Sequence, residues 1–362
     1  MSSRQQISIA VVGLGRMGKR HVHTLLHRVS NAKVVAVCTT DPKEIAWAKS
    51  NAEYQSYGIQ VFDDYQTMIS MPGLQAVWVS TSTDVHASQT LAAVEKDLHV
   101  LCEKPLSTAL DECQKVIDAA KAKPHLKVMA GFSRRFDASY RDAANKVKDN
   151  VVGTPFLVRS QTGDLLDNTG FFVRYAKKNG GIMVDCAIHD IDLTLWLLSD
   201  PVPKACWGVG SLQHHPELAE VRDVDNALGV VEFWGGKMAH YYCSRTQAVG
   251  HDVCTEITGT AGKISVNVVP RVNNVVISDK IGVRHQVQEE YWQRFEYAFA
   301  TEANEFIDSI LDDKPVPLPL EGGMKVMVIA RALQDALLTG KVIRFDEQGK
   351  RFEEDRGNKS RL

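Results

Sequence analysis

Long apolar runs are missing from this chain. Nowhere does it approach the ~18 uninterrupted apolar residues that a membrane helix needs, so no membrane partner is expected. An excess of one charge is missing too: 42 Lys and Arg stand against 44 Asp and Glu, a formal net charge of −2. That balance argues against a nucleic-acid partner, which would require a basic domain. The seven cysteines (Cys38, Cys102, Cys113, Cys186, Cys206, Cys243 and Cys254) are odd in number, scattered, and contain no Cys-x-x-Cys. A disulfide framework or a cysteine-held zinc is therefore not expected, and a reducing compartment fits. Neither an internal repeat nor a low-complexity tract stands out. The opening "MSSRQQISIAVVGLG" lacks a charged region followed by a long apolar core and cleavage site, so no export is expected.

What is present is an ordinary globular composition, 44% hydrophobic and 24% charged, over 362 residues. That length exceeds what one hydrophobic core usually serves, so two domains are expected. Up to residue 131, short valine-rich runs (7–15, 32–40, 76–81, 99–105 and 127–132) alternate with segments of helical periodicity. Such alternation predicts a doubly wound parallel α/β sheet. From 132 to 345 the pattern becomes α+β. Helices are expected at 136–148, 185–198, 294–312 and 321–339, and strands at 155–162, 204–212, 226–234, 237–245, 252–260, 263–269 and 273–279. Gly-containing turns such as "WGGK" and "GTAGK" join several strands, which predicts a large, mostly antiparallel open sheet. Residues 346–362 lack an apolar period and read as a mobile charged tail.

The stretch "GLGRMG" (Gly13, Leu14, Gly15, Arg16, Met17, Gly18) is Gly-x-Gly-x-x-Gly between a valine-rich strand and a helix. In that context it marks a dinucleotide site of Rossmann type. Gly13 permits the turn, Gly15 admits a pyrophosphate, and Gly18 lets helix and strand pack closely. The helix N-terminus offers N–H groups and a positive dipole end to the phosphates. An acidic residue about 20 positions on normally grips the adenosine ribose. Here the second strand ends "VVAVCTTDPK", with Thr39 at its end and Asp41 as the first carboxylate. NAD is favoured because Asp41 is close and no arginine follows it; NADP stays open.

Two further stretches suggest chemistry. "CEKP" places Glu103 and Lys104 at a strand's carboxyl end, where open α/β sheets bind ligands. In "GGIMVDCAIHDID", a helix beginning at Asp185 would bring His189 onto the same face at i, i+4. That pair could be a helix start, a proton-transfer pair, or two ligands of zinc. No third zinc ligand stands in a recognisable pattern, so no metal is expected. No tyrosine has a lysine four positions on, which excludes the Tyr-x-x-x-Lys mechanism.

Taken together, "GLGRMGKRH", "CEKPL", "GFSRRFD" and "GGIMVDCAIHDIDLTLWLL" resemble the glucose–fructose oxidoreductase / inositol dehydrogenase / rhizopine-catabolism family. "DVDNA", "GHDVCTEITGTAGKI" and "FATEANEFIDSI" are similar to its inositol 2-dehydrogenase branch. The resemblance implies an NAD(P)-dependent dehydrogenase acting on a secondary hydroxyl of a cyclic polyol or sugar. It implies Lys104, Asp185 and His189 as the catalytic group, and Thr81, Thr83, His86 and Glu103 on the nicotinamide side. Arg134 would serve cofactor and substrate, and Trp292 and Arg294 would lie near the cofactor. Asp164 and His251 would be substrate contacts, the latter where bacterial inositol enzymes often carry tyrosine. A homodimer or homotetramer is implied as well. The alternatives within this resemblance are glycoside cleavage through transient oxidation and a non-catalytic nicotinamide sensor. The cytoplasm is the expected compartment, with a peroxisomal address in Ser360-Arg361-Leu362 as the alternative.

Overall fold

The structure is a computed structural model describing residues 5–352. The chain divides into two compact units. The first holds the chain through Asp142, Lys177–Gly180 and Tyr291–Val328; the second holds Ala143–Ala176, Gly181–Glu290 and the chain from Ile329 onward. The first unit alternates strand and helix: β1 (Ile7–Val12), α1 (Arg16–Arg28), β2 (Ala32–Cys38), α2 (Pro42–Ser50), α3 (Ala52–Ser56), β3 (Gln60–Phe62), α4 (Tyr65–Ile69), β4 (Ala76–Val79), α5 (His86–Glu95), β5 (His99–Glu103), α6 (Leu110–Ala122) and β6 (Val128–Gly131). Its six strands pair in parallel in the order β3-β2-β1-β4-β5-β6. The valine-rich runs suit this arrangement because strands covered on both faces must be apolar throughout; every residue of β4 is buried. Strand order reverses between β1 and β4, which opens a crevice at their carboxyl ends.

After α7 (Ala138–Lys148) the second unit is built on β7 (Pro155–Leu165), α8 (Phe171–Ala176), α9 (Ile182–Asp185), α10 (Ile188–Leu197), β8 (Pro203–Ser211), β9 (Asn226–Phe233), β10 (Met238–Gln247), β11 (Asp252–Gly259), β12 (Gly262–Val266), β13 (Val276–Asp279) and β14 (Gly282–His285). The chain closes with α11 (Tyr291–Leu311), α12 (Leu320–Thr339) and β15 (Ile343–Arg344). Seven strands form one sheet in the order β12-β11-β7-β10-β9-β8-β15. All neighbours are antiparallel except β7 and β10, which run parallel. Alternation along β9 and β11 buries one face of this sheet and leaves the other open.

Several expectations change. The segment 273–279 does not join the large sheet: β13 pairs only with β14, in a separate hairpin. Three-residue β3 and two-residue β15 are too short to show a period in the sequence. Residues 291–328, expected in the second domain, pack with the first unit. There Phe299 meets His21 edge-on at 5.7 Å and Phe306 meets Trp78 at 5.4 Å. Amphipathic spacing shows that a helix buries a face, not which core receives it. Residues 346–352 of the expected tail are tied down. The Phe352 N–H donates to the Arg344 carbonyl, and the Trp234 indole donates to the Asp346 carbonyl at 2.9 Å. The remainder, 353–362, lies outside the described residues. No described helix is long and apolar enough to cross a membrane.

Candidate active site

In the first unit the glycine turn is a backbone construction. Gly13 has φ +87°, and a Cβ there would sit 2.5 Å from the Ser80 carbonyl oxygen. A Cβ on Gly18 would fall 1.6 Å from the Gly13 carbonyl oxygen. Nothing lies within 4 Å of where a Gly15 Cβ would stand, so backbone N–H groups at the start of α1 are open to a phosphate. The residues present thus fit a dinucleotide. The Arg16 guanidinium lies over the Tyr291 ring at 4.9 Å, and the Tyr291 hydroxyl contacts the Met17 sulfur.

At the end of β2, Thr39 is buried and its hydroxyl donates to Glu44 Oε2 at 2.6 Å. Asp41 Oδ1 accepts from the Lys43 and Glu44 N–H groups and caps α2. Two carboxylates therefore stand where a ribose is expected. Asp41 was legible in the sequence; Glu44, inside a helix, was not.

Beyond β4, the Thr81 hydroxyl donates to Gln89 Oε1 at 2.7 Å, and Thr83 is buried at the start of a single 3₁₀ turn. His86, 2% exposed, is a tether. Its Nδ1 is 2.8 Å from the Pro105 carbonyl and its Nε2 3.2 Å from the Thr81 carbonyl. Burial pushes the imidazole pKa down, against the pull of the two carbonyls. His86 thereby ties the β4 loop to the segment carrying Lys104. Glu103 is buried beside His21, with Oε1 2.7 Å from Nε2. Burial alone would raise the Glu103 pKa, but the hydrogen bond and charge of His21 hold it below the ordinary value. The Lys104 N–H donates to Glu103 Oε2 at 3.3 Å, so the pair anchors the backbone that presents Lys104.

Arg134 and Arg294, expected near the cofactor, both lie over the Phe295 ring, at 5.5 and 4.6 Å. Arg294 also donates to Asp137 at 2.7 Å, and Asp137 caps α7 through the Ser139 and Tyr140 N–H groups. Arg294 thus holds α11 to the start of α7. Trp292 is buried and stacked on Phe299 at 5.0 Å.

In the second unit, Asp185 and His189 do not share one continuous helix. α9 ends at Asp185, Cys186 and Ala187 form a turn, and α10 begins at Ile188. The paired glycines have a local reason: Gly181 has φ +97°, and a Cβ there would meet the Gln334 amide at 2.3 Å. The same amide accepts from the Met183 N–H at 3.0 Å, while Asp223 accepts from the Ile182 N–H at 3.0 Å, which caps α9. Asp190 fastens α10 to β7, accepting from Ser160 at 2.6 Å and Thr162 at 2.7 Å. His189, next to this anchor, is half-buried.

Asp185 is 94% withdrawn from solvent and is gripped by a residue the motif did not reveal. Arg245 donates through Nη2 to Asp185 Oδ2 and through Nη1 to Asp164 Oδ2, the latter at 2.6 Å. Tyr175 donates to Asp185 Oδ1 at 3.1 Å, and His251 Nδ1 lies 3.2 Å from Asp164 Oδ1. Burial would lower the Arg245 pKa, but the Asp185 and Asp164 carboxylates hold it well above its ordinary value. The guanidinium lies over the Phe172 ring at 4.4 Å. Arg245 follows buried Tyr241 and Cys243 at i+2 spacing on β10, next to a register shift between Ser244 and Gln247. Asp164, Asp185 and His251, which the resemblance implied as substrate contacts, stand in one cluster with Arg245 and Tyr175. Both are contributed by segments without a recognisable motif.

Comparison with known proteins agrees in both halves. Residues 7–132 match the model of an oxidoreductase family with an NAD-binding Rossmann fold, and residues 140–265 match the GFO/IDH/MocA C-terminal domain. The NAD(+)-dependent scyllo-inositol 2-dehydrogenase of Bacillus subtilis (strain 168) is 30% identical over 312 residues, covering 85% of this chain and 87% of that one. The scyllo-inositol dehydrogenase of Lactobacillus casei, solved with NAD(H) and scyllo-inositol, superposes with TM-score 0.88 at 29% identity, over 94% of this chain and 99% of that one. Myo-inositol 2-dehydrogenase of Lactobacillus plantarum gives TM-score 0.89 at 28% identity, over 94% and 100%. Likeness of that extent settles membership: this chain belongs to the GFO/IDH/MocA family of NAD-binding oxidoreductases.

Proposed function

We propose that the protein oxidises a secondary hydroxyl of an inositol-like cyclic polyol to the ketone, with NAD+ as hydride acceptor. The observation that carries this reading is the nearly full-length likeness to an enzyme solved with NAD(H) and scyllo-inositol. The chain's own residues support it. Asp41 and Glu44 beside Thr39 would repel a ribose 2′-phosphate, which favours NAD over NADP. Asp164, Asp185, Arg245, His251 and Tyr175 offer many hydrogen-bonding groups, but the single guanidinium is matched by two carboxylates. Such a set suits an uncharged, hydroxyl-rich ligand rather than a phosphate.

When bound, the nicotinamide supplies the hydride acceptor. His189 takes the hydroxyl proton, since a neutral imidazole is a competent base near physiological pH. Lys104 donates a hydrogen bond to the reacting oxygen and stabilises the negative charge that develops there. Asp185, held by Arg245 and Tyr175, orients the substrate hydroxyl. A panel of inositols, aldoses and glycosides, assayed with NAD+ and NADP+, tests the proposal. Free NADH should accumulate with an inositol; glycoside cleavage without net NADH would overturn it. Lys104→Ala should lower turnover by about 100-fold while sparing NAD affinity, and His189→Ala should remove the acidic limb of the pH–rate profile.

The same reading makes the protein a homo-oligomer. Trp207, Val209, Leu228, Val230 and Met238 are exposed on the open face of the large sheet, where Trp207 registers with Val230 and Val209 with Leu228. An apolar sheet face of that kind suits a second copy. Sedimentation should show Val230→Glu shifting the protein toward monomer. The proposed compartment is the cytoplasm; the Ser360-Arg361-Leu362 address lies outside the described residues.

A further inference from the structure

His23 and His27 stand one turn apart on α1, both exposed, and Glu53 reaches them from α3. Neither the dinucleotide loop nor the Arg245 cluster uses any of the three. We propose that His23, His27 and Glu53 form a binding site for a divalent transition metal of borderline softness, with zinc as the representative ion. Their ligand atoms all lie within 4.8 Å of one another. His27 Nε2 is 2.7 Å from Glu53 Oε1, and the two imidazole centroids are 4.5 Å apart. Bonds of about 2.0–2.2 Å around a tetrahedral ion separate adjacent donors by roughly 3.3 Å. His23 and His27 are exposed and Glu53 half-exposed, so solvent borders all three side chains. The ion takes the place of the direct contact between His27 and Glu53. A water completes the fourth position.

The surroundings favour a cation. His27 is in the last turn of α1, where the helix dipole presents its negative end. Glu53 is in the first turn of α3, whose position is fixed by the Asn51 side chain accepting from the Tyr54 N–H at 3.1 Å. Arg28, the nearest cation along α1, is engaged by Glu296 at 2.6 Å. Two imidazoles and one carboxylate select zinc, cobalt, nickel or copper over magnesium and calcium, which favour all-oxygen shells. His27 and Glu53 are 26 residues apart, so the set forms no contiguous motif. The bound ion ties the far end of the helix that starts at the glycine turn to the segment following β2.

The test uses the untagged full chain, stripped with chelator and titrated with zinc chloride in a calorimeter. One zinc per chain is expected, together with a rise of about 3–6 °C in the thermal midpoint at saturation. Magnesium chloride should give neither. His23→Ala and Glu53→Gln, both at the surface, should keep the metal-free midpoint and basal dehydrogenase activity. Each should weaken zinc binding by about tenfold or more and suppress the thermal shift. Cobalt(II) bound to the native chain should show the visible bands of a four-coordinate site, absent in either variant. Zinc binding of unchanged affinity in both variants would overturn the assignment, and would point instead to a pair such as His125 and Asp97, 3.5 Å apart. Failure of the native chain to bind zinc, or equal binding of magnesium, would overturn it as well.

Discussion

The glycine turn of the first unit and the Arg245 cluster of the second are built by opposite means. The turn is made of backbone: six consecutive residues, Gly13 to Gly18, place their own N–H groups, and the decisive atoms are the Cβ atoms that are not there. The cluster is made of side chains from β7, α8, α9, β10 and the residue preceding β11, and its decisive atoms are charges buried against one another. A backbone site needs only short-range geometry, so it leaves a compact signature. A side-chain site leaves separate residues whose relation appears only in three dimensions.

The largest expected effect comes from removing the shared cation. Arg245→Met would remove the guanidinium that Asp185 and Asp164 share and should destabilise the fold by about 3–5 kcal/mol. Polyol turnover should fall with it, while NAD affinity in the surviving folded protein stays close to native. Urea unfolding and NADH titration check this; a large loss of NAD affinity would break the separation between the two sites. Arg245→Lys should recover only part of the loss, because an ammonium cannot bridge two carboxylates as a planar fork does.

A somewhat smaller effect is expected from the turn. In Gly18→Ala the new Cβ meets the Gly13 carbonyl, a backbone atom, so the loop must open. That should cost about 1–3 kcal/mol of stability and raise KM for NAD+ by an order of magnitude or so, leaving KM for polyol little changed. If the polyol KM moves as much as the NAD+ KM, the sites are not as independent as their construction implies.

What could be read from the sequence follows the same division. Gly13, Gly15, Gly18 and the Glu103–Lys104 strand end were legible because their roles are local. Asp185 and His189 were legible as a motif, but the helix expected to join them is interrupted at Cys186 and Ala187, and the real hold on Asp185 is Arg245, 60 residues away. The parallel pairing of β7 with β10 was likewise invisible, since hairpin turns announce only neighbours in sequence. Residues 291–328 pack with the first unit, which the sequence does not reveal because the apolar stripe of α11 does not name what it faces.

A smaller effect is expected at a buried carboxyl of the first unit. Glu302 is fully buried on α11, and neither of its carboxyl oxygens has a hydrogen-bond partner among the described residues. Burial first, and the Glu103 charge second, push its pKa well above the ordinary 4.5. Its contribution to stability is therefore fully present below about pH 4.5 and is lost as pH rises through the folded-state value. Glu302→Gln, always neutral, should remove that decline, changing the slope of unfolding free energy by up to about 1.4 kcal/mol per pH unit above pH 5. Unfolding curves over a pH series check it; identical slopes would mean that Glu302 ionises normally.

The parallel partnership at the centre of the large sheet also has a kinetic consequence. β7 is flanked by β10 and β11, whose residues lie about 80 to 100 positions further along the chain. Closing so long a loop costs conformational entropy before any central contact repays it, and topologies rich in distant pairings fold slowly. Asp164 is next to last in β7 and Arg245 sits near the end of β10, so their ion pair forms only when this late closure is complete. During refolding, competence toward polyol should therefore return only with the slowest phase.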